Sequence, residues 1–74
     1  MGRSARVIQM RLMDFAMTLE AMYQGEGVSR VIWGINAPML WHDSGVIWSK
    51  GEGEKERWQP TQEDLLADDW KIVE

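Results

Sequence analysis

Apolar residues fall in three rhythms along the chain, and each rhythm predicts a different element. Leu12, Phe15, Ala16, Leu19, Met22 and Tyr23 recur at spacings of three and four, which lays them along one face of a helix. Asp14 stands where an N-cap belongs and Gly25 where a helix stops. The spacing predicts a helix over 15–24, with Met17, Thr18, Ala21 and Gln24 on its back. After the Gly25-Glu26-Gly27 turn, 28–33 (Val-Ser-Arg-Val-Ile-Trp) is β-branched and reads as a strand. Residues 39–42 and 46–49 read as a hairpin around Asp43-Ser44-Gly45, a three-residue loop with Gly in the left-handed position. That register sets His42 opposite Val46, Leu40 opposite Trp48 and Trp41 opposite Ile47, so both faces of the hairpin are apolar. One helix covers only one of them. The other must meet a ligand, meet a second subunit, or remain a surface patch.

The third rhythm is a charged stretch followed by a compact tail. Residues 50–57 (Lys-Gly-Glu-Gly-Glu-Lys-Glu-Arg) read as a solvated connection. Gly51 and Gly53 lack the spacing of a phosphate loop, and the acids around them would repel phosphate. In the tail, Thr61 with Asp64 three positions on resembles a capping box. Leu65 and Leu66 are expected to plug the resulting helical turn into the core, and Trp70, Ile72 and Val73 to form a last strand. Residues 1–9 read as a flexible N-terminal extension, with an edge strand through Val7 and Ile8 as the alternative. Residues 10–74 form the domain. The fold class expected is α+β: one helix packed on a small antiparallel sheet, with a short C-terminal helical turn and final strand.

Composition narrows the function. A chain of 74 residues buries only roughly 60% of its surface on folding, so its core is marginal. Five Trp residues at ~150–250 Å² each are a heavy aromatic load for that length. The absence of Cys removes disulfides and thiolate zinc sites. A single His removes a His-rich metal centre, and no metal or other cofactor is expected. No run is long and apolar enough for a transmembrane helix, and no secretory signal is visible. No membrane is expected as a partner. A net charge of −4 lacks the basic footprint of a nucleic-acid binder, so no nucleic acid is expected either.

Three constellations carry candidate chemistry. His42, Asp43 and Ser44 are consecutive, and a triad needs its groups to converge in space rather than sit side by side on a turn. Asp64, Asp68 and Asp69 are a possible Mg²⁺ or acid–base cluster, set against a capping Asp64 and two solvated acids. A metal-dependent hydrolase on these three is one reading of the chain. The third set is Arg30, Trp33, Asn36, Trp58 and Trp70. An indole stacks a base, a guanidinium forks onto phosphate, and an Asn amide both donates and accepts. These suit a nucleotide-like ligand in a concave site. They equally suit Trp residues in a core, and composition leaves both open.

The tail 58–70 (Trp-Gln-Pro-Thr-Gln-Glu-Asp-Leu-Leu-Ala-Asp-Asp-Trp) closely resembles the C-terminal signature of a small phage-encoded family, the Thoeris anti-defence proteins of the second type. Asp14-Phe15 with Leu19-Glu20-Ala21 and Gly25 is similar to the family's first helix, and Arg30 through Trp33 to the end of its Arg-x-x-Trp strand. The resemblance implies a non-enzymatic sponge in the host cytoplasm. Such proteins bind a cyclic nucleotide-type immune signal, a glycocyclic ADP-ribose or, in some relatives at a separate site, a cyclic dinucleotide, and hold it unmodified. It also implies a homodimer or homotetramer with the ligand between subunits. On that basis Trp33 and Trp58 are the stacking candidates. Arg30 would contact phosphate or orient Trp33, and Asn36 and Asp64 would make polar contacts. An alternative from another class is a protein-binding inhibitor or adaptor that docks its apolar hairpin face on a host defence factor.

Overall fold

The computed structural model describes residues 12–73. The expected extension at 1–9 lies outside the described residues. Helix α1 (Phe15–Tyr23) starts where the Asp14 carboxylate accepts the Met17 N–H at 2.9 Å, and it ends at Gly25, whose φ of 96° suits a residue without Cβ. Its buried face is not quite the expected one. Thr18 and Met22 are fully buried, with Phe15 and Leu19 half-buried beside them, while Ala16 and Tyr23 are exposed. Thr18 was expected on the back. Its hydroxyl donates to the Asp14 carbonyl at 2.8 Å, so the polar atom is satisfied within the helix and the methyl faces the sheet.

Five strands follow: β1 (Gly27–Arg30), β2 (Met39–Asp43), β3 (Val46–Lys50), β4 (Glu56–Arg57) and β5 (Trp70–Val73). They form one antiparallel sheet in the order β4-β3-β2-β1-β5. A short helix, α2 (Gln62–Leu66), lies between β4 and β5. Met13 adds a backbone bridge to Trp70 with N–H···O distances of 2.9 and 3.2 Å, tying the start of the described chain to its last strand. The expected fold class, one helix on an antiparallel sheet with a C-terminal turn and strand, is the one observed. The core joins Met13, Met22, Val28, Leu40 and Trp70.

Four local expectations are corrected. Strand β1 stops at Arg30 instead of running to residue 33, and Val31–Trp33 form a 3₁₀ turn. The Val31 N–H donates to the Asp69 carbonyl at 3.0 Å and the Ile32 N–H to the Asp69 carboxylate at 3.0 Å, which bends the chain off the sheet. The hairpin turns on two residues, Ser44 and Gly45, both with positive φ. Its register is therefore Asp43 opposite Val46, His42 opposite Ile47 and Trp41 opposite Trp48. The connection at 50–57 is not all loop, because Glu56 and Arg57 pair with β3. Finally, α2 is not plugged into the core by its leucines. Leu66 is 78% exposed and Leu65 43%, whereas Asp64 is buried.

Candidate functional site

Arg30 sits on β1 opposite Trp70, on the sheet face that bears the helices, and is 6% exposed. Its Nε donates to Asp69 Oδ1 at 2.7 Å and its Nη1 to Asp64 Oδ1 at 2.9 Å. The Asp64 carboxylate also accepts the Thr61 N–H at 3.2 Å, while the Thr61 hydroxyl accepts the Asp64 N–H at 3.1 Å. This is the reciprocal capping pair foreseen in the tail. Hydrogen bonding to Asp69 raises the Arg30 pKa above its ordinary value, against the opposing effect of burial. Burial alone would push Asp64 and Asp69 up. The Thr61 N–H and Arg30 outweigh it at Asp64, Arg30 and the Ile32 N–H outweigh it at Asp69, and both carboxyls lie below the usual range. A fixed guanidinium therefore occupies the space between the two acids where a divalent cation would have to bind. Asp68 is exposed.

Trp70 is the hub of the aromatic residues. It is 0% exposed, and its indole N–H donates to the Asp64 carbonyl at 3.1 Å. Trp33 meets it edge-on at 5.4 Å and Trp58 at 5.8 Å, with Phe15 tilted against it at 5.5 Å. Trp70 was grouped with possible ligand-stacking residues. Full enclosure removes it from that role and makes it the post on which Trp33 and Trp58 are mounted. Trp33 and Trp58 are each only half-buried.

Trp58 walls two hollows. One, of about 410 Å³, is largely apolar and lies against Phe15, Leu19, Ile47, Trp58, Pro60 and Leu65. The other, of about 380 Å³, is polar and is lined by Ser49, Glu56, Arg57, Trp58 and Gln59. Arg30, Trp33, Asn36 and Asp64 line neither of these two. Asn36 is exposed in the loop between the 3₁₀ turn and β2. So Arg30 and Asp64 lie together, Trp33 and Trp58 share one neighbour, and Asn36 stands apart.

The model of the Thoeris anti-defense 2-like domain matches residues 13–73. The chain belongs to that family. Membership gives this Thoeris anti-defense 2-like protein an anti-defence role, in agreement with the resemblance read from its tail. No curated protein matches the chain. Among the described residues no helix is long and apolar enough to cross a membrane.

Within the family frame, the tail signature now has physical content. Thr61 and Asp64 cap α2, Asp64 and Asp69 hold Arg30, and Trp70 fills the core. The His42-Asp43-Ser44 run does no converging chemistry: the Gly45 N–H donates to His42 Nε2 at 3.2 Å and the Ser44 hydroxyl to Asp43 at 3.1 Å, both within the hairpin turn. Arg57, which lines both hollows, carried no weight in the sequence reading. Its signal was its position directly before Trp58, which places a basic residue at the end of edge strand β4 and an aromatic one immediately after it.

Proposed function

We propose that this protein binds and sequesters a cyclic nucleotide-type immune signal, a glycocyclic ADP-ribose or a cyclic dinucleotide, in the host cytoplasm without degrading it. The observation that carries the reading is the family match across 13–73. The Trp58 hollow supports it. At about 410 Å³ it falls in the size range of small-molecule sites, and an indole wall offers stacking to a base. Trp58 and Trp33 are the stacking residues in this reading and Asn36 a polar contact supplied from its exposed loop. Arg30 and Asp64 act by holding that frame, because Arg30 is engaged with Asp64 and Asp69, and Asp64 with Arg30 and the Thr61 N–H. A homodimer or homotetramer would close the open side of the hollow.

Sequestration requires tight binding. A Kd of ~1 nM corresponds to about −12 kcal/mol, and two stacked faces at roughly 1–3 kcal/mol each supply only part of it. Phosphate contacts and a preorganised cleft must contribute the rest. The test is to saturate the protein with the signal, remove the excess, denature by heat and analyse what is released. Intact ligand in stoichiometric amount is expected; a converted product would mean an enzyme.

A protein-binding inhibitor or adaptor is favoured by one observation. Ile35, Leu66 and Ile32 are 99%, 78% and 67% exposed, a high apolar exposure for so small a domain. A stable protein partner, together with no thermal shift from any cyclic nucleotide, would establish that reading instead.

A further inference from the structure

Residues 28–33 have the composition of one continuous strand, yet the chain leaves the sheet after Arg30. That departure decides which side of the sheet Trp33 is on. Side chains alternate between the two faces along a strand. Val28 lies in the core and Arg30 is opposite Trp70, so the even-numbered residues of β1 face the helices. A strand continued to residue 33 would carry Trp33 to the opposite face. In the 3₁₀ turn Val31–Trp33 it instead meets Trp70 edge-on at 5.4 Å, and Trp58 meets the same ring at 5.8 Å. The turn thereby brings both indoles to one side of the sheet.

Asp69 holds this turn with all three of its oxygens. Its carbonyl accepts the Val31 N–H at 3.0 Å and its carboxylate Oδ2 accepts the Ile32 N–H at 3.0 Å. From the other side Arg30 Nε donates to Oδ1 at 2.7 Å, so the carboxylate cannot swing into solvent without breaking a charge-assisted bond. The Gly34 N–H closes the turn on the Val31 carbonyl at 3.1 Å. Burial of the aliphatic side chains adds little, since Val31 is 41% and Ile32 67% exposed. Their β-branched shape favours a strand. The polar clamp works against that propensity, and the contact of Trp33 with Trp70 follows from it.

We propose that Asp69 is a positioning residue that holds Trp33 on the helix side of the sheet and so sets the pose of one of the two rings offered to the ligand. The ligand half of this statement rests on the sequestration reading, in which Trp33 and Trp58 stack the immune signal. Asp69 does not touch the ligand, because each of its oxygens already accepts a bond from the chain. It acts through Trp33. Asp64 is the contrast: it shares Arg30, at 2.9 Å from Nη1, and caps α2, but gives no bond to the turn.

The experiment is proton–nitrogen correlation NMR of the full chain without ligand, in which each Trp indole N–H gives its own resonance and Trp33→Phe identifies that of Trp33. Asp69→Ala is expected to displace the Trp33 resonance, as the ring leaves the field of Trp70, and to leave those of Trp41 and Trp48 in place. Asp64→Ala breaks the same ion cluster and is expected to lower the melting temperature while moving the Trp33 resonance far less. Asp69→Asn keeps an amide oxygen for the Ile32 N–H and is expected to restore most of the Trp33 position. In the wild type the Ile32 amide, although on an exposed residue, is expected to exchange with solvent roughly a hundredfold more slowly than in an unstructured peptide; this measurement stands if Asp69→Ala folds poorly. Binding is read with glycocyclic ADP-ribose and a cyclic dinucleotide, and Asp69→Ala is expected to weaken whichever binds by roughly tenfold, the worth of one stacked ring. A Trp33 resonance unmoved in Asp69→Ala, an equal displacement in Asp64→Ala, or an Ile32 amide that exchanges like a free peptide would each overturn the positioning role. A ligand bound equally well by wild type and by an Asp69→Ala variant whose Trp33 has moved would overturn the ligand half alone. A wild type that binds neither probe would remove the sequestration reading, and the ligand half with it, while the NMR results still decide the pose of Trp33.

Discussion

Arg30 shows how a residue type can be legible while its partners are not. A lone Arg in a β-branched run reads as a hand for phosphate. Its carboxylate partners lie 34 and 39 residues downstream, and no local pattern links them. Removing one member of a buried ion cluster leaves the others unpaired, at a cost of about 3–5 kcal/mol. Arg30→Met is therefore expected to lower stability by that order, and Arg30→Lys, which keeps charge but loses the fork, by less. The sign of the pH effect follows from the depressed carboxyls. Folded Asp64 and Asp69 lie below the ordinary value of 3.8, so their contribution is present above about pH 4 and is lost as pH falls through the folded values. Thermal melts from pH 6 downward should show the wild type weakening below pH 4. In Arg30→Met that acid limb should largely flatten, since burial then acts on the two carboxyls with less to oppose it. A variant with an unchanged acid limb would show that Arg30 is not what holds these groups ionised.

At the scale of elements, the hairpin separates what periodicity reveals from what it hides. The strands and their turn were readable from Met39 to Ser49, but a loop of two residues rather than three moves the register by one position. A one-residue slip sends alternate side chains to the opposite face. The expected pairing split the two indoles between faces; the observed one places Trp41 and Trp48 together. The turn itself explains the outcome. Ser44 has φ 55° and Gly45 φ 82°, the doubly left-handed geometry whose twist matches that of the strands. Ser is a poor residue there, and Asn is a good one. Ser44→Asn should raise stability by a few tenths to ~1 kcal/mol and Ser44→Val should lower it by about 1–2 kcal/mol, both read from urea midpoints. Equal midpoints for the two variants would mean that the turn is not doubly left-handed. The end of β1 was hidden for a different reason: the groups that terminate it are on Asp69, so the boundary is a tertiary effect and not a local propensity.

For the whole molecule, small size makes stability a sensitive reporter of ligand. Among the described residues the largest fully buried side chains are Trp70, Met22, Leu40, Val28 and Thr18, a small core, so any ligand that selects the native state adds a large fraction to its stability. Ligand at 1,000 times its Kd adds about 4 kcal/mol. A domain of this length gains roughly 4–8 °C per kcal/mol, so a tight sponge should melt higher by about 15–30 °C in excess signal. The time course then separates holding from turnover. A sequestering protein keeps the full shift through hours of incubation, because its ligand pool is unchanged, whereas an enzyme consumes the pool and the shift decays toward the ligand-free value. The tail motif made the family legible, since Thr61, Asp64, Asp69 and Trp70 each serve the fold and are thereby constrained in type and spacing. Ligand contacts on exposed surfaces face no such packing constraint, which is why the frame could be read from the chain while the hollow beside Trp58 had to be found in three dimensions. The melting experiment bears on the hollow directly: Trp58→Leu removes one ring from its wall while Trp70 keeps the core filled. The variant should therefore stay folded and lose most of the signal-induced shift. A shift of undiminished size in that variant would move the binding of the immune signal away from Trp58.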